Sequence, residues 1–174
     1  MMGYDLELVP ERNCGECTVC CTVMAVDKPE MQKEAGAPCR HCAAGCAIYD
    51  TRPTLCRDFY CGWRHLPILD ESWRPDKSGV FVEFEAVEDN VGLSLVLIAN
   101  PLKTVRQSWF IEFVSVGVRE DVSLLLNSCQ MRDAAYTSPV AVKQLLEAEL
   151  RRLRAHDFPP RTFVHSGNDF GVEE

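Results

Sequence analysis

An α+β protein is predicted, with an N-terminal cysteine-rich lobe of loops and short helices followed by a small antiparallel sheet with packed helices. Three features carry this reading. Nine of the ten cysteines lie between Cys14 and Cys61. That stretch is punctuated by Gly15, Pro29, Gly36, Pro38, Gly45 and Pro53, which favour turns over long elements. Beyond residue 79 the chain changes to alternating and helix-spaced apolar positions. With 174 residues, 47% of them hydrophobic, an ordinary core can form without covalent cross-links. The divisions are 1–13 as lead-in, 14–63 as cysteine module, 64–79 as connector, 80–155 as α+β body and 156–174 as irregular tail.

Within the module, residues 24–36 carry polar helix formers after Pro29 and predict one or two helical turns. Thr51-Arg52-Pro53 can open a short helix with Pro53 at its first position, carrying Cys56 and Phe59. Cys61 lies five residues beyond Cys56, about 140° further round a helix, so the helix is expected to end before it. Residues 64–79 read as an irregular connector. Val80 to Val87 sets Val82, Phe84 and Ala86 against Phe81, Glu83 and Glu85, the pattern of a half-buried strand. Val91 to Ala99 returns as a second strand. Residues 103–118 suit a helix through Val105, Trp109, Phe113 and Val116, and Asp121 to Leu126 suits a third strand. Ser138-Pro139 opens a further helix with an apolar stripe through Val142, Leu145, Leu146, Leu150 and Leu153.

Charge and hydropathy restrict the partners. A net charge of −8 and a pI near 5.0 oppose broad attraction to phosphate backbones, so no nucleic acid is expected. Met1 to Arg12 has Asp5, Glu7 and Glu11 and lacks the apolar centre of a signal peptide. No apolar run reaches the ~18 residues of a membrane span. A reducing cytoplasm is the expected setting, where clustered thiols more often bind metal or do redox work than form disulfides.

The spacing supports metal. Cys14-x2-Cys17, Cys17-x2-Cys20 and Cys39-x2-Cys42 each place two thiols on a tight turn where both can reach one ion. With Cys21, Cys46, Cys56 and Cys61 the candidate ligands number nine. Eight thiolates fill two four-coordinate zinc sites or two iron–sulfur clusters. Nine can hold three zincs if some thiolates bridge. The vicinal pair Cys20-Cys21 aims its side chains apart, which suits different ions. Soft thiolates accept zinc and iron alike. Saturation by thiolates favours a closed site over a catalytic zinc with an open position. His41 and His65 read as supporting or surface residues, given so many thiols.

Cys14-x2-Cys17-x2-Cys20-Cys21, followed by Cys46-Ala-Ile-Tyr-Asp-x-Arg-Pro-x2-Cys56-Arg-Asp-Phe-x-Cys61, resembles the CxxCxxCC domain, the zinc- or iron-chelating family of YkgJ-type cysteine-cluster proteins. The resemblance covers roughly residues 13–63. It implies a metal-binding module with Cys14, Cys17, Cys20, Cys21, Cys39, Cys46, Cys56 and Cys61 as ligands, Cys42 being an addition found in some members. A flagellin lysine methylase carries a related cluster, which implies an iron–sulfur enzyme as the alternative.

Tyr49, Arg52, Arg57 and Phe59 then read as packing and charge balance around an anionic cluster. Cys129 has no base near it in sequence and reads as a buried structural thiol. There is no phosphate-binding glycine loop and no paired-carboxylate spacing. The expectation is a multinuclear zinc-thiolate protein holding two or three zincs, acting in chelation or as a metal-stabilised interaction module rather than as an enzyme. Metal ions are its expected partners, with a protein partner open to it and no membrane. The alternatives are an iron–sulfur protein supporting redox or methyl-transfer chemistry, and a thiol redox switch.

Overall fold

The computed structural model describes residues 7–29, 31–87, 90–98 and 100–128, together with Gln144, Glu147, Ala148 and Arg151. The lobe begins with α1 (Cys20–Val23) and a hairpin of β1 (Val26–Lys28) and β2 (Met31–Lys33). A second, smaller hairpin joins β3 (Cys42–Ala43) to β4 (Gly45–Cys46). A 3-10 turn at Tyr49–Thr51 leads into α2 (Thr54–Arg57) and then α3 (Gly62–His65). Another 3-10 turn at Glu71–Trp73 and α4 (Pro75–Ser78) complete the connector. The body holds β5 (Val80–Val87), β6 (Asn90–Leu97), α5 (Pro101–Thr104), α6 (Ser108–Arg119) and β7 (Leu124–Ser128). Among the described residues no helix is long and apolar enough to cross a membrane.

The expected α+β architecture is present, with two local corrections. Residues 24–36 form a hairpin instead of helical turns. Lys28-Pro29 disfavours helix at its centre, and β2 is pinned by burial of Met31 and by the Lys33 ammonium, which donates to the carbonyls of Thr22 and Met24. The sheet is mixed rather than wholly antiparallel. β5 and β6 pair antiparallel in the order β5-β6-β7, but β7 runs parallel to β6. Helices α5 and α6 carry the chain back across the sheet, so the third strand enters in the direction of the second.

Other boundaries shift slightly. The second strand ends at Leu97, and the third starts at Leu124 rather than Asp121. The 103–118 region is helical but split, with Asn100 capping α5 through a bond from Lys103 N–H to its side chain (3.1 Å). The predicted helix from Ser138 lies outside the described residues except for Gln144, Glu147, Ala148 and Arg151, which are helical. Glu147 and Arg151 form an ion pair at 3.7 Å. Cys129 and the tail 156–174 lie outside the described residues.

The two faces of the sheet have different cores. Val80, Val82, Leu95, Leu97, Leu124 and Leu126 pack with Val105, Phe110 and Val114 from the α5–α6 region and with Trp63, Leu69 and Trp73. Trp73 meets Trp109 edge-on at 4.7 Å and Phe113 at 4.6 Å, so the connector is part of the core. On the other face Phe81 and Val96 pack with Val23, and Val19, Cys20, Met24, Phe59 and Cys61 lie against them. Strand β5 is thus buried on both sides at its start, and the cysteine lobe rests directly on the sheet.

Glu83 follows Phe81 on that second face, opposite Ser94 of β6. Burial, with a smaller push from Glu85, raises its carboxyl from the usual range to about 7. The native state therefore holds a proton that the unfolded chain has already released. Stability contributed below the unfolded value is lost as pH rises from about 4.5 to about 7. Glu83→Gln should remove that slope and raise stability at pH ~8 by roughly 2 kcal/mol, measured as denaturation midpoints across pH. An unchanged slope in the variant would place the titration elsewhere.

Candidate metal centre

Turn geometry brings the cysteines together first. Cys17 N–H donates to Cys14 C=O at 2.9 Å, and Cys42 N–H donates to Cys39 C=O at 2.9 Å, so two of the three Cys-x2-Cys pairs close as such turns. His41 N–H then points at Cys39 Sγ (3.4 Å), and Val19 N–H at Cys17 Sγ. Such amide donors stabilise a thiolate, the form that binds metal. Cys39 N–H reaches Cys21 C=O at 2.8 Å and joins the second turn to α1. Gly45, at φ 140°, allows the tight reversal that places Cys46 opposite Cys42.

Helix ends position the last two thiols. Cys56 sits in α2, which ends at Arg57, ahead of Phe59 and Cys61. The chain then continues to Cys61, the N-cap of α3, whose carbonyl accepts from Arg64 N–H at 2.9 Å, while the nearby Arg64 and Trp63 amides favour its thiolate. Gly62 is held against the sheet so closely that a Cβ there would stand 2.6 Å from Val82 Cγ1. Cys61 is therefore held beside the sheet by the close fit of Gly62 and by the bond at its own carbonyl.

All nine thiols are partly buried, and among the described residues none is in a disulfide. Eight of them line two adjoining cavities. The smaller, about 30 Å³, is bounded by Cys14, Cys17, Cys20 and Cys61 with Phe59, Trp63, Pro75 and Phe81. The larger, about 100 Å³, is also bordered by Cys14, Cys17 and Cys20, and it alone reaches Cys21, Cys39, Cys46 and Cys56, with Lys33, His41, Tyr49 and Arg52. Mutual electrostatics group the thiols further, with Cys20 tied first to Cys21. Cys61 is affected by Cys14 and Cys17, as is Cys20, whereas Cys56 is affected by Cys21, Cys39 and Cys46. Cys42 is affected by Cys21 and Cys39 and borders neither cavity.

The two sets meet at Cys20-Cys21. Cys20 gives its thiol proton as a hydrogen bond to Cys21, which holds Cys20 protonated well above the usual thiol range, with burial adding to the effect. The same bond, followed by one from Cys42 and by the charges of Lys33 and Arg52, lowers Cys21 to about 6. Burial pushes Cys61 up to about 11 and raises Cys17, Cys42 and Cys56. Metal must therefore displace protons from most of these thiols, so loading is expected to tighten as pH rises.

The surroundings supply cations. Arg52 stacks on Tyr49 with its guanidinium carbon 3.7 Å from the ring centre and donates from Nε to Tyr49 C=O at 2.9 Å. It thereby stays beside Cys21 and Cys56, as the charge-balance reading anticipates. Arg57 instead donates to Thr54 Oγ1 at 3.2 Å on the exposed side of α2. His41 borders the larger cavity, while His65 is wedged edge-on between Tyr60 and Phe84, facing the sheet. One partner is not evident from the sequence spacing. Asp76, at the start of α4, bonds Cys17 with both its backbone N–H and its carboxylate, and Arg74 grips that carboxylate at 2.7 and 2.8 Å.

Lys33 braces the segment that follows Cys20 and Cys21. Its ammonium donates to Thr22 C=O at 3.1 Å, to Met24 C=O and to Glu34 C=O at 3.1 Å, tying the β1–β2 hairpin to the end of α1. Lys33→Met keeps the aliphatic stem and removes these charged bonds, each worth about 1.5–3 kcal/mol. Metal held near Cys21 should then pass to a competing chelator roughly tenfold faster, read as a stopped-flow transfer rate. An unchanged rate would show that the hairpin does not restrain the site.

Among the described residues no three Cys, His, Asp or Glu side chains already stand in the geometry that closes on one ion. Soft thiols, amide donors aimed at sulfur and nearby cations nevertheless form a donor set that fits zinc or iron chemically. No protein-family model, curated protein or solved structure matches this chain.

Proposed function

We propose that residues 14–63 form a zinc-thiolate module of two sites. The inner set, Cys14, Cys17, Cys20 and Cys61, holds one ion, and the outer set, Cys21, Cys39, Cys46 and Cys56, holds the other. Cys42 stands beside the second set as a ninth thiol. The observation that supports this reading is that Cys14, Cys17 and Cys20 lie between two adjoining cavities, with Cys61 bordering only the smaller and Cys21, Cys39, Cys46 and Cys56 only the larger. Four thiolates complete a tetrahedral zinc and leave no open position for substrate, which favours a non-catalytic role. The module would chelate metal, or present a metal-stabilised surface to a protein partner, in the reducing cytoplasm.

The cavity at Cys61 is about 30 Å³, a space suited to a single ion more than to a cubane of four irons and four sulfides. Metal analysis and a visible spectrum of anaerobically purified protein test the assignment. Two zincs per chain and no visible absorption are expected. A band near about 400 nm, with iron and acid-labile sulfide, would establish the iron–sulfur alternative instead.

A further inference from the structure

We propose that the ninth thiol, Cys42, is an oxidation site that closes a disulfide with its cross-strand neighbour Cys46 and thereby opens the second metal set. Cys42 and Cys46 are directly opposed in the β3–β4 hairpin. The flanking bond runs from Ala47 N–H to His41 C=O at 2.9 Å, which places the cysteine pair at a non-hydrogen-bonded position. Side chains are closest at such positions, with Cα atoms about 4.5 Å apart, inside the ~4.4–6.8 Å range of disulfides. Only Ala43, Ala44 and Gly45 separate the two thiols, so closing the ring costs little chain entropy.

The roles of the two cysteines differ. Cys46 borders the larger cavity with Cys56, whereas Cys42 borders neither cavity and bonds to Thr18 and Cys21. A thiol that no ion requires remains available while its neighbour is a ligand. The oxidant is a peroxide. One sulfur attacks the O–O bond, becomes a sulfenic acid and releases one oxygen as water. The second sulfur displaces the sulfenic oxygen, which leaves as a second water once protonated. The two sulfurs lose two electrons and the peroxide gains them. Cys46 then has no thiolate to offer, and the ion it helped to hold is left with three ligands. The first set shares neither cysteine and keeps its ion.

The disulfide itself stands on backbone geometry, and the release step rests on the two-site metal reading. The test uses the full-length, zinc-loaded protein treated with one equivalent of hydrogen peroxide. Zinc release is followed with a colorimetric chelator, and tryptic peptides are mapped without reduction. Residues 41–57 form one tryptic peptide, because Arg52 precedes Pro53. It is expected two hydrogens lighter, with fragmentation placing the bridge between Cys42 and Cys46. Cys42→Ser should slow peroxide-driven zinc release at least about fivefold. A bridged peptide from protein that holds no zinc would retain the disulfide and sink the metal reading. A bridge from Cys42 to the 13–33 peptide, or sulfinic acid at Cys42 without a bridge, would overturn the proposal. So would equal release rates in the two proteins.

Discussion

Phe81→Ala should loosen the cysteine lobe from the sheet while leaving the body folded. Phe81 is 1% exposed and stacks on Phe59 at 6.0 Å, with Val23 and Val96 completing the contact. It does not belong to the larger core, which is built around Trp63, Leu97 and Phe110 on the opposite face. Truncating a buried phenylalanine costs about 3–5 kcal/mol. The loss should concentrate where the ring sits, between Cys20, Cys61 and Phe59. Amide exchange in α1 and β1–β2 should accelerate, and trypsin should cut after Lys33 and Arg40 sooner. Exchange in β6 and α6 should change much less. Equal acceleration across both parts would mean that lobe and body unfold as one cooperative unit.

Cys61→Ser isolates the metal contribution of the inner set. Serine is a preferred N-cap, so the start of α3 should tolerate the change. Only the soft sulfur is removed. Affinity for the inner ion should fall by more than the ~10–100-fold typical of losing an outer partner of a metal ligand. Structural zinc sites contribute apparent binding energies of about 10–16 kcal/mol, so the holo-protein should also melt earlier. Cys46→Ser should weaken the other ion and spare this one. Titration with zinc and a competing chelator separates the two cases. If either variant lost both ions together, the thiols would form one interleaved cluster with bridging sulfur.

Local sequence pattern goes a long way in this chain. The β5–β6 hairpin is legible because Val82 and Phe84 alternate with Glu83 and Glu85, and the two Cys-x2-Cys turns are legible from spacing alone. Other features depend on distant contacts. The β1–β2 hairpin is written in helix-forming residues and is decided by Met31 burial and the Lys33 clamp. The direction of β7 depends on where α6 returns, which no local pattern encodes. The division of the thiols depends on α2 ending at Arg57 and on Cys61 being drawn to the sheet, since Gly62 must fit against Val82. The Asp76–Cys17 contact joins residues far apart in sequence and becomes visible only when α4 is in place.

Cys61, Gly62 and Trp63 are consecutive, and this adjacency gives the inner set an optical consequence. Trp63 is 2% exposed, bonds Asp70 C=O through Nε1 at 2.9 Å and has the Arg12 guanidinium 5.3 Å from its ring centre. Its indole is locked next to the thiol that would coordinate the ion. Trp73 and Trp109 meet edge-on within the body core. Occupancy of the inner set should therefore appear as a change in the emission of one tryptophan, against a constant signal from the other two. On the two-site proposal, the chain would carry its own fluorescent gauge for that ion.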